Sequence, residues 1–139
     1  WKVVGGSGVT TTTTAYPASS YPSSFTSLSS GPAWIPPLAG DYNVRHWGRM
    51  DIYGPTASSI VEICPATNTV PAREAYATAV GNWVTSGSIY RSAWTGERLM
   101  QGMLSTEYLT IQARYLVNQV NFVPFYCGMT ATPVRVKAA

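Results

Sequence analysis

Between residues 1 and 40 the chain carries one charged side chain, Lys2, and five prolines: Pro17, Pro22, Pro32, Pro36 and Pro37. Proline fixes φ and has no amide proton to donate, so a continuous helix is excluded here. Ser, Thr and Gly fill most of the remaining positions, and such a composition offers too little contiguous apolar surface to fold alone. Gly5, Gly6 and Gly8 loosen the backbone, while the threonine run at 10–14 favours extended conformation. Along this segment single large apolar residues recur at Tyr16, Tyr21, Phe25 and Trp34. Spaced in that way, they suit an extended peptide that fills pockets on another surface. Residues 1–40 are therefore expected to form an arm whose anchors dock on neighbouring subunits. A linker or an O-glycosylated stalk explains the aromatics less well.

From residue 41 the pattern changes to period two. In residues 41–53, Tyr42, Val44, His46, Met50 and Ile52 fall on one face, and Asn43, Arg45, Trp47, Arg49 and Asp51 on the other. That is the signature of a half-buried strand. Residues 59–64 read as a short buried strand ending before Pro65. Residues 108–117 alternate well, and 120–130 return as their partner, with Pro124 marking a bulge or an edge. Further strands are expected over 82–85, 88–94 and 133–137. Pro71 followed by AREAYA predicts a helix ending near Gly81, and ERLMQGML is read as a short helix or a strand weakened by Gly102. Six or more strands at roughly ten-residue spacing predict a mainly β body over 41–139. The expected fold is a small antiparallel sandwich or barrel, jelly-roll-like or Ig-like, with one or two short helices and the extended arm.

Only 11% of the 139 residues are charged, against about 25% in ordinary soluble domains, while 45% are apolar and five are Trp and nine Tyr. So little charge implies a surface covered by a partner or facing an uncharged ligand such as a glycan. The net charge of +3 comes from scattered residues. Nucleic-acid binding through the arm is not expected, since Lys2 is its one cation, although the body offers Arg45, Trp47 and Arg49 as a stacking platform or interface face. No run of eighteen apolar residues marks a membrane span. Cys64 and Cys127 are either a disulfide, worth about 4 kcal/mol across so long a loop, or two small buried hydrophobes. With two Cys and one His there is no four-ligand zinc site, and no metal or other cofactor is expected.

His46 sits on the apolar face, where a structural role is expected rather than a catalytic one. No phosphate loop, dinucleotide fingerprint or nucleophile elbow occurs. A non-enzymatic structural subunit of a repeating assembly is the leading expectation: a viral or phage coat, decoration or tail protein, or an extracellular filament. It would contact copies of itself and other particle proteins, in a virion or outside the cell. The alternative is a secreted carbohydrate-binding module presenting Trp47, Trp83 and Trp94.

Overall fold

The structure, a computed structural model, describes residues 8–12, 16–17, 24–29, 31–53, 59–82, 90–117 and 121–137. Ten strands run through them: β1 (Gly8–Thr12), β2 (Tyr16–Pro17), β3 (Thr26–Ser29), β4 (Ala33–Trp34), β5 (Gly40–Tyr53), β6 (Ser59–Ala66), β7 (Thr78–Asn82), β8 (Tyr90–Met103), β9 (Leu109–Val117) and β10 (Asn121–Val136). They form two antiparallel sheets, ordered β1-β10-β5-β8 and β2-β3-β9-β6-β7, with β4 lying beside β3 along one edge of β9. The chain passes repeatedly from one sheet to the other. The result is a sandwich with jelly-roll winding.

Period two decides which side chains meet between the sheets. Tyr42, Val44 and His46 of β5, Trp94 and Met100 of β8, and Cys127, Met129 and Ala131 of β10 are buried from the first sheet. They pack against Val61 and Ile63 of β6, Val80 of β7, and Leu109, Ile111 and Ala113 of β9. Two glycines make the close approach possible. A Cβ at Gly48 would overlap the ring of Trp94, and one at Gly96 would overlap Thr78 Oγ1 and the His46 imidazole. Glycine in a strand interior marks such an approach.

Several local expectations are corrected. In place of a helix over 71–82 there is one 3-10 turn, Glu74–Tyr76, followed by β7, which pairs with β6 from Ser59↔Asn82 to Ile63↔Thr78. The Ala-rich propensity is outweighed by ladder hydrogen bonds and the burial of Val80. ERLMQGM is strand and not a short helix, because β8 runs through it without a break from Tyr90 to Met103. At Gly102, where φ is 72°, two residues of β8 face Asp41 across a bulge, and the Gly102 N–H donates to Asp41 Oδ1 at 2.9 Å. Pro65 lies inside β6, beyond the stretch paired to β7, so its missing N–H disturbs no ladder there. Pro124 does mark a bulge, and 133–136 continues β10 across a second one, but β10 pairs with β1 and β5 and not with β9, which lies in the other sheet. Of the strands expected over 82–85 and 88–94, residues 83–85 and 88–89 lie outside the described residues.

The largest correction concerns the arm. Its β1 pairs with β10 from Gly8↔Ala131 to Thr12↔Cys127, and β3 and β4 pair with β9. Leu28 is buried in the core, and Trp34 packs edge-on against Tyr42 with ring centroids 5.5 Å apart. Phe25 lies beneath the Arg114 guanidinium, 4.7 Å from its ring centroid. The backbone of Tyr16 belongs to β2, and Tyr21 lies outside the described residues. Open strand edges of β9 and β10 offer unpaired N–H and C=O groups, and an extended Ser/Thr segment of the same chain satisfies them without an encounter between molecules. Deleting residues 1–40 should accordingly abolish cooperative unfolding in urea. A sharp transition in that truncated chain would show that the arm is separable.

Candidate functional site

The outward face of the first sheet gathers one set of expected residues. Arg45 and Arg49 are exposed and Trp47 is half-buried, all three on alternate positions of β5 and pointing away from the core. Across the ladder Arg45 stands opposite Glu97 of β8, whose carboxylate accepts from Asn43 Nδ2, and Trp47 stands opposite Thr95. Farther along, Leu99 of β8 pairs with Asn43 and is 52% exposed. Val134 of β10 and Leu104 beyond β8 are also exposed. On the outward side of β5 and β8 the charged Arg45, the aromatic Trp47 and the apolar Leu99 therefore lie together.

The interior holds a different polar set. His46 is fully buried, and neither of its ring nitrogens has a hydrogen-bond partner; the buried indole N–H of Trp94 also lacks one. Burial pushes the His46 pKa down to about 4, because the imidazolium would lose its hydration with no acceptor to replace it. It therefore lacks the solvent access and bonded carboxylate of a general base. Trp94 fills the core beside Gly48 and is not a surface platform, while Trp83 lies outside the described residues. Cys64 and Cys127 are free buried thiols, so the disulfide is not formed: Cys64 is on β6 of one sheet and Cys127 on β10 of the other. Burial pushes the Cys127 pKa up to about 11 and raises that of Cys64 as well.

Arg98, which the sequence did not single out, crosses between the sheets. From β8 it donates through Nη1 to the Pro65 carbonyl at 2.6 Å and through Nη2 to the Pro71 carbonyl at 3.0 Å, with Tyr76 stacked 4.7 Å from its guanidinium. Both ends of the 66–71 connection are thereby tied to β8. Within that connection Thr67 N–H donates to the Val70 carbonyl, and Val70 N–H to Thr67 Oγ1. Thr69 donates to Glu107 twice, from its hydroxyl at 2.7 Å and from its amide at 3.0 Å. These bonds lower the Glu107 pKa by favouring its charged form.

Beside this joint lies a groove of about 280 Å³ at one end of the second sheet. Thr110 and Gln112 of β9 and Ser27 of β3 form part of it, with Thr67, Asn68 and the 106–108 turn around them. Tyr108 stands at its rim, 61% exposed. On the same sheet Arg114 binds Glu62 and, at 3.0 Å, Glu74, which covers an otherwise costly buried carboxylate. Elsewhere Asp41 pairs with Arg135 at 2.8 Å. Among the described residues, no group of three or more His, Cys, Asp or Glu could hold a metal ion, and no helix is long and apolar enough to cross a membrane. The groove was missed because its residues come from three separate stretches, at 27, 67–68 and 106–112, whose meeting depends on sheet pairing.

Two measurements check the interior. The unfolded chain binds a proton at His46 near pH 6.5, whereas the folded chain does so near 4. Stability is thus unaffected above about 6.5 and falls as pH drops through that interval, by roughly 3 kcal/mol in total. Comparing urea midpoints at pH 7 and pH 4.5, a His46→Gln variant should lose less stability on acidification than the parent. Thiol titration should find both cysteines unreactive in the native protein and both reactive in denaturant without reductant. A silent denatured sample would mean that they are bonded.

No protein-family profile and no curated protein matches this sequence. Among solved structures, the chain is similar to the globular domain of zebrafish complement 1qA protein, with 8% identity, 94% of this chain and 98% of that chain covered, and a TM-score of 0.45. It is also similar to the CBM22-1 and GH10 modules of an endo-1,4-β-D-xylanase from Clostridium thermocellum, solved with xylohexaose. There the identity is 11%, the coverage 100% of this chain and 30% of that one, and the TM-score 0.32.

Proposed function

We propose that this chain is a non-enzymatic structural subunit that assembles with copies of itself, as in a viral or phage particle or an extracellular filament. The observation that supports this reading is the first sheet, where Leu99 is more than half exposed two positions along β8 from the residue facing Arg45, on the outward side that also carries Trp47, and where Val134 of β10 is likewise more than half exposed. In a chain with 11% charged residues, such a side is poorly suited to bulk water. Aromatic, apolar and Arg groups together form the usual composition of an interface centre. Repetition of one such contact by symmetry builds a closed shell or an open filament. Our reading assigns the contact to the body rather than to the arm, since the described parts of the arm engage their own sheets.

The carbohydrate-module reading with a row of Trp47, Trp83 and Trp94 has less support, because Trp94 is in the core. Nucleic acid remains a partner for Arg45 and Arg49 if this side faces the inside of a particle, through phosphate contacts that weaken with salt.

Native mass spectrometry and electron microscopy of the undenatured protein should find a multimer of defined size. A Leu99→Lys, Val134→Lys double variant should leave the thermal midpoint nearly unchanged, since both residues are exposed, yet weaken assembly at least tenfold. Assembly at the parent's concentration would exclude this side as the contact, and a monomeric parent protein would exclude the reading itself.

A further inference from the structure

We propose that the groove bounded by Thr67, Asn68, Glu107, Tyr108, Thr110 and Gln112 binds a neutral sugar. The inference stands apart from the assembly contact, which lies on the other sheet.

The lining chemistry selects the ligand class. The amides of Asn68 and Gln112 present donors and acceptors together, which is what a polyol requires, while the Thr67 and Thr110 hydroxyls are held by Val70 N–H and by Ser27. Among the described residues Glu107 is the single charged group lining the groove. Phosphate and carboxylate ligands would meet its negative charge with no cation among those lining residues to offset it. A neutral hydroxyl, by contrast, makes a charge-assisted hydrogen bond to a carboxylate, stronger than one to a neutral acceptor. Thr69 gives one bond to each Glu107 oxygen and the Thr67 hydroxyl also bonds this carboxylate, which leaves room for one sugar hydroxyl.

Tyr108 supplies the complementary apolar contact. A pyranose ring exposes a face of C–H groups between its hydroxyls, and an aromatic ring buries that face while its own hydroxyl stays in water. Tyr108 is 61% exposed at the rim, so its ring is accessible to such a partner.

Preorganisation favours binding as well. The groove's walls are joined by the Thr69–Glu107 bonds, and the 66–71 connection is held by Arg98 at the Pro65 and Pro71 carbonyls. Few side chains must be ordered when a ligand arrives, so less of the interaction energy is lost to entropy. At about 280 Å³ the groove is close to the lower end of small-molecule sites, near 300 Å³, which suits a terminal sugar unit better than a long chain.

Saturation-transfer NMR on the full chain in its native state, with glucose, galactose, mannose, N-acetylglucosamine and sialic acid as separate probes, tests this. At least one neutral sugar should bind, with Kd on the order of 1 mM as expected for so small a ligand, and sialic acid should bind more weakly. Tyr108→Ala should weaken the neutral sugar at least tenfold, Tyr108→Phe should retain it, and Glu107→Gln should weaken it severalfold. Arg45→Ala on the opposite sheet should have no effect. Thermal midpoints identify any variant that fails to fold, and the exposed Tyr108→Phe pair with the parent then carries the comparison with sialic acid. Absence of all neutral-sugar signal at tens of millimolar, a preference for sialic acid, or full binding by folded Tyr108→Ala would each overturn the proposal.

Discussion

Arg98 holds the two sheets in a fixed relation, and much of the surface follows from that. A guanidinium leaving β8 on the core side must find acceptors or bear the desolvation cost of a buried cation. It finds the carbonyls of Pro65 and Pro71, at the two ends of the connection between β6 and the 3-10 turn, and the face of Tyr76. Both prolines are suited to this role, because a residue without an N–H still offers a carbonyl. Truncating Arg98 would leave those carbonyls short of a donor and release the connection. The groove at Thr67, Asn68 and Glu107 depends on the same joint, one layer farther out.

The core around this clamp is shaped by near-absences of side chain. Gly48 and Gly96 lie on β5 and β8 at positions where any Cβ would collide with Trp94 or with His46 and Thr78. A large indole and an imidazole therefore fill space that two glycines vacate, which is how interiors reach dense packing. The same contact strands two His46 nitrogens and the Trp94 N–H without partners. Burial without an acceptor is what lowers the His46 pKa.

How the chain divides its surface also follows from period two. On β5 the core takes Tyr42, Val44 and His46, leaving Arg45, Trp47 and Arg49 together outside. On β9 the core takes Leu109, Ile111 and Ala113, leaving Thr110, Gln112 and Arg114 outside. One sheet consequently presents cations and apolar groups, while the other presents hydroxyls, amides and an acid-balanced Arg114.

The alternation in 41–53 and 108–117 was sufficient to give β5 and β9, their buried faces and the β-sandwich class, because a strand's side-chain period is a property of its own backbone. Pro124 likewise announced its bulge, since a missing N–H is local. The helix expected after Pro71 became a strand, and the arm became β1 to β4, because both outcomes depend on which distant edge was open to receive them. Whether Cys64 and Cys127 meet, which way Arg98 points and whether Tyr108 has a groove beside it are likewise set by sheet pairing. These are contacts between residues far apart in the chain, and no local pattern encodes them.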